Sequence, residues 1–133
     1  MQATKSKLII THEDYRTLNS YVKGLRPVKD FDRKNAASLQ EELSKATLVD
    51  SEELPDDVVR LNSRVVVKEE TKDKLIELVL VVPEKADIKE RRVSVFAPIG
   101  TALIGFREGE MVNWTVPAGS KTFTIMKVHN QKE

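Results

Sequence analysis

A chain of 133 residues with 40% hydrophobic and 32% charged side chains has the make-up of one globular domain, or of a small domain plus an appendage, under a heavily charged surface. It contains no cysteine, which excludes disulfides, thiolate nucleophiles and cysteine-based zinc sites. The charges balance, with 22 Lys and Arg against 21 Asp and Glu, so no long-range field steers the chain to a nucleic-acid backbone or an anionic membrane, and a protein partner is the better expectation.

The N-terminal segment holds only the apolar trio Leu8, Ile9 and Ile10 before charge returns. That is too short for a signal-peptide core or a membrane span, and the expectation is a soluble cytoplasmic protein. Thr11 followed three residues later by Asp14 predicts a helix start, with the hydroxyl accepting from an orphan N–H. Tyr15, Leu18, Val22 and Leu25 then make one apolar stripe, and Gly24 is placed to end the helix. A second stripe, Ala36, Leu39, Leu43 and Ala46, follows a loop containing Asp30 and Asp32. Small alanines let two such helices approach as an antiparallel hairpin over residues 1–49, a coiled-coil-like arm projecting roughly 20 Å. Residues 50–61 begin with the acid-rich run DSEELPDD and read as a solvated linker.

Past Asn62 the period changes to two. Val65 and Val67 alternate with Arg64, Val66 and Lys68, a turn occupies residues 71–74, and the run from Leu75 to Val82 is apolar on both faces, which predicts a hairpin whose second strand is central. After a charged connection, Val93 to Phe96 reads as a short strand, Pro98 to Gly105 as one helical turn, and Val112, Trp114 and Val116 as one face of another strand. The turn Pro117-Ala118-Gly119 leads into a last strand in which Phe123 and Ile125 share a face; Lys127 and Val128 break the alternation and predict a bulge or the strand's end. Residues 130–133 are a tail.

No convergent set of reactive residues emerges, so no catalytic, cofactor or metal site is expected. His12 and His129 lie near opposite chain ends and outside any ligand spacing. Gly100 to Gly105 has phosphate-loop spacing, but Phe106 and Arg107 stand where Lys and Ser or Thr are needed.

The stretch Val93-Ser94, Pro98-Ile99-Gly100, Ala102-Leu103-Ile104-Gly105, Gly109-Glu110, Val112, Pro117-Ala118-Gly119 and Ile125 resembles the C-terminal domain of the Gre transcription elongation factors. Ala97 stands where Ser is common in that family, and Glu110 where Asp is usual. The segment Leu39-Gln40-Glu41-Glu42-Leu43 to Ala46, with Ser51-Glu52-Glu53, Pro55, Asp57-Val58-Val59 and Asn62-Ser63-Arg64-Val65, is similar to the Rnk family, regulators of nucleoside diphosphate kinase. The resemblance implies an α+β fold: a short N-terminal helical hairpin, then an FKBP-like twisted antiparallel sheet with one short helix over residues 62–129. It implies binding to RNA polymerase near the secondary channel, as a non-enzymatic regulator of elongation. Pro98, Ile99, Gly100, Phe106, Arg107 and Glu110 are the candidate partner-binding residues. Phe106 reads either as an exposed hot-spot aromatic beside Arg107 or as a cap over the core. Asp30 and Asp32 mark the arm tip, on an arm too short to support transcript cleavage. The alternatives are a binding module acting on nucleoside diphosphate kinase and, as a lesser one, a peptidyl-prolyl isomerase, which would need an apolar pocket lined by aromatic residues such as Phe96, Phe106, Trp114 and Phe123.

Overall fold

The computed structural model describes residues 8–24, 33–116 and 119–130. Its elements are β1 (Ile9–Thr11), α1 (His12–Val22), α2 (Arg33–Ser44), β2 (Thr47–Val49), β3 (Arg64–Glu69), β4 (Lys74–Val81), β5 (Arg92–Ser94), α3 (Pro98–Leu103), β6 (Met111–Val116) and β7 (Gly119–His129). The fold is α+β, with a five-stranded sheet in the order β5-β4-β3-β7-β6 and a separate β1-β2 pair.

Helix α1 starts and ends where local chemistry dictates. The Thr11 hydroxyl accepts from the Asp14 N–H at 3.1 Å, and Gly24 takes a left-handed φ of +80° just past the last turn. Leu18 is buried as the stripe predicts, and so is Tyr21, which the stripe omits. Helix α2 buries Ala36, Leu39 and Leu43. The parallel pairing of β1 with β2, Ile9 opposite Thr47, has no forerunner in the sequence pattern, since three-residue strands are too short to display a period of two.

Strand β3, not β4, is central. It pairs antiparallel with both β4 and β7, and Val65 and Val67 are fully buried. The other neighbour of β4 is the three-residue β5, and that pairing is parallel, so the sheet is mixed rather than wholly antiparallel. Only the second half of β4 is apolar on both faces: Leu78, Leu80 and Val81 are buried, whereas Leu75 is 62% exposed. In β7 the register shifts between Val66, opposite Lys127, and Val67, opposite Ile125. The bulge takes up Met126, which is how Ile125 and Val128, three residues apart, both reach the core.

One hydrophobic core runs through the molecule, joining Leu18, Tyr21, Leu39 and Leu43 of the helices to Val65, Leu80, Phe96, Phe123 and Ile125 of the sheet side. The rings of Tyr21 and Phe96 meet with centroids 5.5 Å apart at 59°, and the Tyr21 hydroxyl donates to the Glu84 carboxylate. The helices therefore form a layer docked on the sheet rather than a freely projecting arm, because their stripes find apolar partners there. Residues 50–61 are likewise not a solvated linker. Leu54, Val58, Val59 and Leu61 are buried, while Asp50, Glu52, Glu53 and Asp56 stay exposed; the acids masked an apolar pattern beneath them.

Candidate functional site

The unit from Ser94 to Glu110 is built by close backbone approach. Helix α3 has Ala97 as its N-cap, with no side-chain bond there, as a methyl in place of a hydroxyl requires. The anchor lies one turn on: the Thr101 hydroxyl donates to the Val95 carbonyl at 2.7 Å, and the Ser94 hydroxyl accepts from the Phe96 N–H at 3.1 Å. Gly100 is buried against this turn. A Cβ built there would lie 2.2 Å from the Ser94 carbonyl oxygen and 3.0 Å from Leu80 Cδ1, so its role is steric.

Past α3, the chain is laced to residues 57–59. Gly105 N–H donates to Val59 O at 2.9 Å, Val59 N–H to Phe106 O at 2.8 Å, and Glu108 N–H to Asp57 O at 2.9 Å. Gly105 and Gly109 take φ of +85° and +92°, the left-handed geometry that lets the segment turn twice within five residues. The Glu110 carboxylate accepts from the Arg107 N–H at 2.6 Å, so the longer acid still closes the loop. The Arg107 guanidinium grips Asp57 in a fork, with four N···O distances between 3.0 and 3.3 Å; the two side chains are 54% and 36% exposed.

The structure sorts the sequence-derived candidates. Arg107 and Glu110 are exposed and share one turn. Ile99, on α3, is half-buried and packs on the core. Phe106 is 3% exposed and caps the core, so it is not an exposed aromatic beside Arg107; the alternating backbone bonds to Val59 turn its ring inward. Pro98 begins α3, but its side chain, like that of Trp114, is outside the described residues. Asp30 and Asp32 also lie outside the described residues.

Three residues take structural roles that the sequence pattern did not assign to them. Asp57 stood in the acid-rich run and in a family-like segment, with no partner assigned to it. Asn130, assigned to the tail, donates to the carbonyls of Asp56 and Val58 at 2.9 and 2.8 Å and bonds the buried Ser63 hydroxyl, fastening the end of β7 to the segment that holds Arg107. Asp14 is 7% exposed and accepts from Arg60 Nε and the Leu61 N–H, both at 3.3 Å. Burial pushes its carboxyl above the ordinary value while the Arg60 guanidinium opposes the shift. Asp57 and Ser63 lie within the family-like segments, a signal that spacing alone does not carry.

Among the described residues no three acidic or histidine side chains gather as a metal site, and no helix is long and apolar enough to cross a membrane.

Residues 54–130 match the family described as transcription elongation factor, GreA/GreB, C-terminal. The chain is 35% identical over 99 residues to the regulator of nucleoside diphosphate kinase of Escherichia coli K12, covering 74% of this chain and 73% of that one. It is 33% identical over 92 residues to transcription elongation factor GreA of Nitrobacter winogradskyi, covering 69% of this chain and 58% of that one. Among solved structures, the prokaryotic transcription elongation factor GreA/GreB from Nitrosomonas europaea superposes with a TM-score of 0.79 and 31% identity over 95% of this chain and all of that one. The matched segment begins at residue 54, not 62, which places the lacing of Asp57 to Val59 inside the family domain. With that domain over more than half its length and such relatives beyond it, the chain belongs to the GreA/GreB C-terminal family of transcription elongation factors.

Proposed function

We propose that the chain is a non-catalytic regulator of transcription that binds RNA polymerase near its secondary channel, through an FKBP-like head in which the Ser94–Glu110 unit carries the contact. One observation carries the reading: a family domain whose turn unit is pinned by Gly100 and by backbone bonds to residues 57–59, and which presents Arg107 already ordered on Asp57. Rigid backbone and pre-ordered side chains lose little entropy on docking. The docking of the helices supports the reading that the chain does not stimulate transcript cleavage. Tyr21, next to the last residue of α1, rests on Phe96, and Ala36, in the first turn of α2, is buried. Helices held against the head at both of these points support a role without transcript cleavage.

The test uses purified core polymerase with a Gre factor as competitor, followed by incubation with backtracked complexes. The expected result is co-elution with core, competition, and no transcript cleavage. Failure to bind core refutes the reading; so does cleavage that disappears in the Asp30→Asn/Asp32→Asn variant. A second reading, action on nucleoside diphosphate kinase, has the name of the Escherichia coli relative in its favour, and direct binding to the purified kinase distinguishes it. Against the isomerase reading stands the burial of Phe96, Phe106 and Phe123, three of the four aromatics it would use.

A further inference from the structure

The five-stranded sheet has a core face and an opposite one, and the register places the side chains of the second. Arg92, Val79, Arg64 and His129 stand side by side across β5, β4, β3 and β7. Glu77, Val66 and Lys127 form the next row, and Leu75, Lys68, Thr124 and Met111 the third. Cross-strand partners share a face, and alternation with the buried Val65, Val67 and Leu78 puts these rows on the outside. This face is open. Arg64, Glu77, Arg92, Lys127 and His129 are exposed, as are Leu75, Met111 and the bulged Met126 at 62%, 52% and 46%.

We propose that this face docks an acidic amphipathic helix of a partner protein. Charge complementarity identifies the occupant. Arg92, Arg64 and Lys127, in the first two rows, have no ion-pair partner among the described residues, and Glu77 is the one acid there; in the third row Lys68 pairs with Asp73 and Thr124 donates to Glu70, so the unpaired positive charge lies in the first two. The cations alternate with Val79, Val66, Leu75 and the two methionines, whose unbranched thioethers adapt to an incoming apolar stripe. The rows contain no Phe, Tyr or Trp side chain for stacking on bases, which argues against a single-stranded nucleic acid. Four strands span about 14 Å, enough for a helix about 10–12 Å across. Alternate residues on a strand recur about every 6.8 Å, close to the roughly 6 Å step between residues four apart on a helix. The site is separate from the Ser94–Glu110 unit and does not rest on the polymerase reading.

The test is an NMR titration of the isotopically labelled full chain with a synthetic helical peptide bearing a Leu stripe flanked by Glu. Its Lys-for-Glu twin and an oligothymidylate serve as comparisons. The acidic peptide is expected to shift amides of β3, β4 and β7 and the methyls of Met111 and Met126 saturably, more tightly at low salt. The Arg64→Glu/Lys127→Glu variant is expected to weaken binding by about tenfold or more, while Lys89→Glu, off these rows, changes nothing. If the reversal variant does not fold, Arg64→Gln/Lys127→Gln takes its place. The proposal is overturned by shifts confined elsewhere, by no shift at millimolar peptide, by equal binding of the Lys twin, by the oligothymidylate taking this face instead, or by unaltered affinity in the charge variants.

Discussion

The sheet side and the helical layer are secured by different kinds of interaction. In the sheet, ladders run from β3 to both neighbours, and the turn unit is tied by backbone bonds from Gly105, Val59 and Glu108. The helical layer has no strand in that ladder, since β1 and β2 pair only with each other. Side chains attach it: Leu18 and Leu39 in the core, Tyr21 on Phe96, and Asp14 with Arg60 and Leu61. Backbone bonds survive most substitutions and side-chain contacts do not, and the family match follows the same divide, beginning at residue 54.

Two glycines expose the divide most sharply. Gly100→Ala drives a methyl into the Ser94 carbonyl at 2.2 Å, backbone against backbone, and is expected to cost on the order of 3 kcal/mol or more. That corresponds to a fall of roughly 10 °C or more in Tm. Gly24→Ala meets no atom within 4 Å and suffers only its positive φ, at about 1 kcal/mol. Equal losses by calorimetry would show that α3 can slide off residues 94–95, contrary to the packing described.

Leu39→Ala tests the layer itself. The side chain is fully buried, and the cavity is expected to cost about 2–4 kcal/mol. Hydrogen exchange should show where the loss falls: amides of α1 and α2 open first, while those of β3 keep their protection. Uniform acceleration through β3 would mean that layer and sheet unfold as one unit.

Arg60→Ala is expected to cost about 2–3 kcal/mol at neutral pH, because it leaves the buried Asp14 carboxylate without its cation. The pH dependence follows from the upward shift of Asp14. A carboxyl that binds its proton more readily folded than unfolded makes stability fall as pH rises from the unfolded to the folded value. Removing Arg60 raises the folded value further, so the variant should regain part of its loss as pH is lowered toward about 4. The Asp14→Asn/Arg60→Ala double variant should show no such recovery in urea titrations across pH; recovery there would assign the effect to another group.

What was legible in the chain follows the same physics. Thr11, Leu18, Leu39, Val65, Val67, Phe123 and Ile125 were readable because capping and periodicity are local. The docking of the helices was not readable, since an apolar stripe does not name its partner: Tyr21 meets Phe96 across 75 positions of chain. The Arg107–Asp57 fork and the Asn130 bonds join residues 50 or more apart, and no spacing rule reaches that far. Phe106 was ambiguous because its neighbours, Gly105 and Arg107, are equally compatible with a core cap and an exposed loop. Its direction is set by bonds to Val59, in a segment whose acids concealed its burial.

The smallest stability effect belongs to the fork, and it is the most informative about function. Arg107 and Asp57 are exposed enough for solvent to screen their attraction, so Asp57→Asn and Arg107→Ala are each expected to change stability by no more than about 1 kcal/mol. Their effects on polymerase binding should diverge. If the guanidinium contacts the partner, Arg107→Ala weakens binding, whereas Asp57→Asn leaves the cation in place with one competitor fewer, and affinity holds or rises. If the fork serves only to hold the turn, both variants weaken binding alike, and each single variant matches the double. We expect divergence, because Glu110 and the backbone bonds to residues 57–59 hold the turn without the fork.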